Sequence, residues 1–152
     1  MRFANCCASD SESGRWRSRP AALAIDAALT QLGMAERADE RVRALNGGHR
    51  RRMEIPRALI HGPEVLLLDE PTVGLDAASR QAITDYVHLL AETGLAVLWA
   101  THLVDDIRPD DQIVVLHRGK VLRNGTAPDL AGGEGLAKAF LTMTAEDREV
   151  LA

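Results

Sequence analysis

V-L-L-L-D-E-P-T-V-G-L-D, running from Val65 to Asp76, is an apolar run that stops abruptly at two carboxylates and a proline. Consecutive large apolar residues without alternation suit a strand covered on both faces, as in a parallel sheet, and Pro71 cannot continue a ladder because it has no N–H to donate. The stretch predicts a buried strand that delivers Asp69 and Glu70 to a loop at its carboxyl end. In open α/β sheets ligands bind at that edge, where adjacent carboxylates can divide the work, one holding a cation and the other handling a proton. An ordinary exposed loop start carries the same residues, so the flanking sequence has to distinguish the two.

Two flanking blocks do so. Upstream lies Leu45-Asn46-Gly47-Gly48-His49, followed by Arg50 to Arg52. Asn46 is placed to cap a helix that begins at Gly47, and the two glycines let backbone N–H groups approach an anion at that helix's N-terminus. A Gly-Gly pair alone also fits a plain flexible loop. Downstream, the apolar run Leu95 to Ala100 closes on Thr101 and His102. A helix from Asp76 to about Thr93, with Ile83, Tyr86, Val87 and Leu90 on its buried face, can carry the chain from the first strand to this second buried strand, parallel to the first. Both sets of polar residues then emerge at one sheet edge. Alone, His102 reads equally as a histidine capping a strand end.

In this order and at this spacing the three blocks resemble the nucleotide-binding domain of an ATP-binding cassette (ABC) transporter, over about residues 21 to 125. The resemblance implies ATP and Mg²⁺ as cofactors. It implies that Asp69 helps hold Mg²⁺ through its water shell, that Glu70 is the general base, and that His102 contacts the γ-phosphate and orients the attacking water. It also implies that Asn46, Gly47, Gly48 and His49 form the signature segment, which touches ATP held by the opposite subunit of a head-to-tail dimer. Asn46 stands where the family has serine and His49 where it has glutamine; an amide can replace a hydroxyl both as cap and as phosphate donor. Asp76 matches the loop that contacts the opposing subunit, and it can equally be a helix cap. The implied partners are a second nucleotide-binding subunit and a transmembrane permease, with no nucleic acid. The implied location is cytoplasmic, peripheral to the inner face of a membrane through that partner.

Composition agrees with a globular domain: 152 residues, 46% hydrophobic and 26% charged. A net charge of -4 gives no general attraction to nucleic acid or anionic membrane. The one basic run, Arg50 to Arg52, fans out on a helix, which suits solvated or phosphate-adjacent arginines better than a binding stripe. Cys6 and Cys7 are adjacent, too close for an ordinary disulfide and without metal-ligand spacing. No stretch has the length of a membrane span, and the N-terminus lacks the apolar core of a signal peptide.

The chain divides into four segments: an irregular 1–20 without family likeness, a helical 21–61 holding the signature, the C-terminal part of the ATPase core at 62–125, and a helical tail at 126–152. Leu23, Ala24, Ala27, Ala28 and Leu32 trace one helical face that ends at Gly33. Met34 to Leu45 is expected to be a shorter helix. The helix from Gly47 should reach about His61, ahead of Gly62-Pro63, but Pro56 lies inside it, at a cost of about 3 kcal/mol unless a kink absorbs it. Ile113 to Leu116 and Val121 to Leu122 flank His117-Arg118-Gly119-Lys120 as a hairpin.

The phosphate loop G-x-x-x-x-G-K-[ST] does not occur. The only Gly-Lys pair, Gly119-Lys120, has Val114 where the first glycine belongs and Val121 where the hydroxyl belongs. Gln31, Gln81 and Gln112 all fall outside the segment where the family has its glutamine loop. The expected fold class is therefore α/β: a partial P-loop NTPase-like parallel sheet with flanking helices and an ABC helical segment. The expected function is that of an exporter-type ABC ATPase subunit, represented by its C-terminal portion and truncated at the N-terminus. The alternative is a non-catalytic fragment, or a half-site partner that lends its signature motif to a complete subunit. A soluble cassette protein of DNA repair or translation fits less well, because only about 20 residues separate Gly48 from Leu68, without a coiled-coil insertion.

Overall fold

A computed structural model describes residues 19–149, and the side-chain surroundings of 25–145. Cys6, Cys7 and most of the stretch read as irregular lie outside the described residues. The chain forms two compact units, one through Thr101 and one from His102 onward.

The first unit opens with α1 (Arg19–Gln31), which starts two residues ahead of the expected boundary. Ala28, Leu29 and Leu32 are buried and Ile25 packs against them, whereas Ala27, expected on that face, is exposed. Gly33, at φ +62, ends the helix as expected. Its N–H donates to the Thr30 carbonyl at 3.1 Å, and that of Met34 to the Leu29 carbonyl at 2.7 Å. This pair of bonds is a Schellman cap, and it turns Met34 into the core. Met34 to Leu45 does not form the expected helix. It makes two 3₁₀ turns, Ala35–Arg37 and Val42–Ala44. Met34, Ala38, Val42 and Leu45 recur at helical spacing and all reach the core, yet the backbone between them closes into two short turns instead of one helix.

α2 (Gly47–Leu59) stops two residues short of His61 and stays helical across Pro56. The Pro56 ring is among the fully buried side chains, so its packing offsets the lost hydrogen bond without a break in the helix. β1 (Val65–Asp69), α3 (Ala77–Glu92) and β2 (Ala96–Ala100) then form the expected parallel crossover, with Val65 opposite Ala96 and Asp69 opposite Ala100. Ile83, Tyr86 and Val87 of α3 are buried, and Leu90 packs against them.

The two strands are not covered on both faces, as the sequence led us to expect. Leu66, Leu68, Val97 and Trp99 face the helices, while Val65, Leu67 and Leu98 on the opposite face are 55%, 70% and 67% exposed. The strand period of two sends neighbouring side chains to opposite faces, and α1, α2 and α3 pack on one of them.

The second unit contains a 3₁₀ turn at Val104–Asp106, the antiparallel hairpin β3 (Gln112–His117) and β4 (Lys120–Thr126), α4 (Ala127–Ala131) and α5 (Leu136–Glu149). Arg118 and Gly119 form the two-residue turn with φ +47 and +74, the left-handed pair that matches the twist of a tight hairpin. No described helix is long and apolar enough to cross a membrane.

Candidate functional site

Because Asp69 pairs with Ala100 as the last ladder position, Glu70 and Thr101 leave the sheet at the same edge. The Glu70 N–H still donates to the Ala100 carbonyl at 2.9 Å, but its φ is +48. A glutamate gains nothing from the left-handed region and is strained there, so its neighbours must hold it. The loop then closes on itself, with Val73 N–H on the Glu70 carbonyl at 3.4 Å and Leu75 N–H on that of Thr72 at 3.2 Å. Pro71 and Thr72 are buried beneath it, Glu70 is half-buried, and the Asp69 side chain is exposed.

Across from this loop, α2 presents Arg51. Its Nη2 donates at 2.8 Å to the carbonyls of both Asp69 and Glu70, and its Nε at 3.3 Å to that of Pro71. Nη1 pairs with Glu54 at 2.8 Å. Arg52 donates at 3.0 Å to the Leu32 carbonyl at the end of α1. Sequence reasoning took these arginines as solvated or phosphate-adjacent; two of the three instead bind backbone carbonyls within the fold, and only Arg50 is exposed. The spacing on a helix says which way such side chains diverge but not what stands opposite them, so the sequence held no signal for this.

The signature segment has the expected start. Asn46 lies in extended backbone, and its Oδ1 accepts the His49 N–H at 2.8 Å. Gly47 and Gly48 are the first residues of α2, and neither has positive φ. A Cβ on Gly47 would meet nothing within 4 Å, and one on Gly48 would touch Leu75 Cδ2 at 3.4 Å. Neither glycine is demanded by backbone conformation or by crowding, although glycine weakens a helix by about 0.5–1 kcal/mol relative to alanine. The space above Gly47 is open to an approaching group. Burial, and then the Arg37 and Arg52 charges, lower the pKa of His49 below its ordinary 6.5, so its imidazole is neutral at physiological pH.

Asp76 caps α3, its Oδ1 accepting the Ser79 N–H at 2.9 Å and its Oδ2 the Ser79 hydroxyl at 2.7 Å. These bonds hold its carboxyl below the usual range. The helix-cap reading is thus realised in full, and Ser79 is a partner that sequence reasoning missed although D-x-x-S carries it. The structure brings Asn46 to His49, Asp69, Glu70 and Asp76 into one unit, and Arg51 ties α2 to the loop at residues 69–71. His102 opens the second unit and is exposed.

Whether the site suits Mg²⁺ can be tested on its donors. Among the described residues no three His, Cys, Asp or Glu side chains gather to form a cage. A lone exposed carboxylate such as Asp69 fits a hydrated Mg²⁺, which keeps most of its waters and takes its remaining ligands from substrate phosphates.

A family model described as ABC transporter matches residues 5–73, so the match takes in both the signature segment and the Asp69-Glu70 edge. The chain belongs to the ABC transporter nucleotide-binding family. Among curated ABC relatives, the linearmycin resistance ATP-binding protein LnrL of Bacillus subtilis (strain 168) is 37% identical over 125 residues, which are 74% of this chain and 40% of the relative. The molybdenum import ATP-binding protein ModC of Brucella abortus (strain 2308) is 40% identical over 119 residues, 76% of this chain and 33% of the relative. The Nod factor export ATP-binding protein I of Ralstonia nicotianae is 36% identical over 121 residues, 77% and 38%. The chain thus spans less than half the length of these ABC relatives, and they include both import and export subunits. In fold it is similar to an ATP binding subunit of an ABC transporter (TM-score 0.79, 20% identity, 95% of this chain and 62% of that one). A putative metal-chelate type ABC transporter in an inward-facing conformation gives a TM-score of 0.67 at 22% identity, over 91% and 54% of the two chains. These likenesses place the α/β unit in the ABC ATPase, P-loop NTPase fold.

Proposed function

We propose that these residues are part of a composite ATP-hydrolysing site that drives an exporter-type ABC transporter. The observation that carries the proposal is Glu70: a half-buried carboxylate held in left-handed backbone at the carboxyl edge of a parallel strand, directly after an exposed aspartate. Glu70 is the base that takes the proton of the attacking water. Asp69 is the residue that would hold Mg²⁺ through water, and the ion would supply neutralisation of phosphate charge when bound. Asn46, Gly47, Gly48 and neutral His49 offer amide, backbone and imidazole donors to the γ-phosphate of ATP held by a second nucleotide-binding subunit, head to tail. His102 orients the water and Asp76 contacts the opposing subunit. A membrane permease is the partner that places the assembly at the cytoplasmic face. The exporter direction rests on the form of D-E-P-T-V-G-L-D and R-R-M-E-I-P-R-A-L.

None of the 152 residues supplies a G-x-x-x-x-G-K-[ST] loop, so the grip on the β- and γ-phosphates has to come from outside this sequence. That favours a second reading, in which the chain lends its signature segment to a complete subunit and Glu70 is idle. Replacing Glu70 by Gln in the transporter assembly separates the two. The first reading expects turnover to fall by about 10²–10⁴-fold with ATP binding retained. Unchanged turnover in Glu70→Gln, together with loss of turnover in Gly47→Asp, would establish the half-site instead.

A further inference from the structure

We propose that Arg51 is a positioning residue that sets the backbone of Glu70 from the helix carrying the signature segment, so that the two parts of the site move as one. Glu70 needs holding because φ +48 is a conformation that glutamate does not adopt unaided. Outside its own loop two anchors hold its backbone: the Ala100 carbonyl takes its N–H at 2.9 Å, and Arg51 donates to its carbonyl at 2.8 Å, closer than the Val73 N–H of the loop at 3.4 Å. The same guanidinium reaches the carbonyls on either side, of Asp69 and Pro71, so it fixes the direction of the chain through the residue as well as one atom of it. Glu54, on the same helix, balances the charge and orients the fork. A lysine could not reproduce this, because an ammonium is a point charge without a planar set of donors.

The coupling arises from where Arg51 is rooted. It stands on α2 two residues after His49, so whatever is bound at Asn46, Gly47 and Gly48 is connected to Glu70 by less than two turns of helix and one side chain. Leu75, at the far end of the same loop, packs against the core cluster to which Leu45, just before α2, and Met53 of α2 belong. Displacing the N-terminus of α2 therefore displaces the carbonyls of residues 69–71, and with them the direction in which the Glu70 carboxylate leaves the chain.

The test is amide hydrogen exchange on the full chain with Arg51→Ala and Arg51→Lys. In Arg51→Ala, exchange at Glu70, Val73 and Leu75 should quicken by about tenfold or more, as loss of charge-assisted hydrogen bonds to backbone carbonyls implies, while Ile83 and Val87 keep their protection. Arg51→Lys should fall between. Unchanged exchange at residues 70–75 in both variants would overturn the proposal. So would a uniform loss of protection across the unit in both, which would make Arg51 a residue of general stability. The catalytic consequence rests on Glu70 being the base: in an ATP-hydrolysing assembly Arg51→Lys should lower kcat and leave the KM for ATP unchanged. Were the assembly inactive, the proposed function would fail while the exchange measurement still decided the clamp.

Discussion

α2 and α3 begin with the same device and differ in the residues that come after it. In each, an Asx side chain in extended backbone accepts the N–H three residues on, at 2.8 Å from Asn46 and 2.9 Å from Asp76. Behind Asp76 come two alanines, good helix formers, and a serine whose hydroxyl locks the second carboxylate oxygen. Behind Asn46 come two glycines, the second-worst helix formers, in helical backbone with open space above the first. One start is fastened by two bonds and the other by one. The difference teaches where the fold accepts weaker local structure: at the helix end where backbone N–H groups can meet a phosphate closely.

The largest effect that could break this comparison is expected from placing an acid at each start. In an ATP-hydrolysing assembly, Gly47→Asp should lower turnover by about 100-fold, because a carboxylate would face the triphosphate. Ala78→Asp puts the same charge on the first turn of α3, where it favours the helix dipole, and should leave turnover within about threefold. Equal losses in steady-state hydrolysis would mean that the two helix starts do not differ in role.

Cap removal is the next test, read from denaturant unfolding. Asn46→Ala should lower stability by about 1 kcal/mol. Asp76→Ala removes two bonds where Asn46→Ala removes one, and its unfolding midpoint should fall further. If Asn46→Ala proved the more harmful, α2 would be the better fastened start.

The smallest expected effect is in pH. His49 has its folded pKa lowered, so its contribution is complete above 6.5 and is lost as pH falls through the lower folded value. Asp76 is also lowered, from 3.8, so its contribution is complete above that pH and is lost further into acid. Acid titration followed by residue-resolved exchange should loosen the start of α2 before that of α3, and His49→Gln should remove the earlier step alone. A single simultaneous loosening would contradict the separation.

Much of the first unit was legible in the sequence because its signals are local. The caps at Asn46 and Asp76, the stop at Gly33 and the crossover β1-α3-β2 all arise from what a few residues can do with their own backbone, and so does the turn at Arg118-Gly119 in the second unit. Expectations failed where the answer lay in a neighbour. Met34 to Leu45 has no shortage of helix-forming residues, yet its apolar side chains reach the core only through two 3₁₀ turns. Arg51 and Arg52 look alike in sequence, and each found a different set of carbonyls 18 to 20 residues away.

By itself the sequence determined the order of strand, loop and helix, the carboxylates at the strand end and the glycines at a capped helix start, since hydrophobic period, capping and turn chemistry act over a few residues. Only the tertiary structure decided that the apolar run of β1 is buried on one face, that Glu70 takes a left-handed conformation, and that Arg51 holds it there. Each of these depends on which surface packs opposite, and a guanidinium selects its partners by where the fold leaves carbonyls without a ladder.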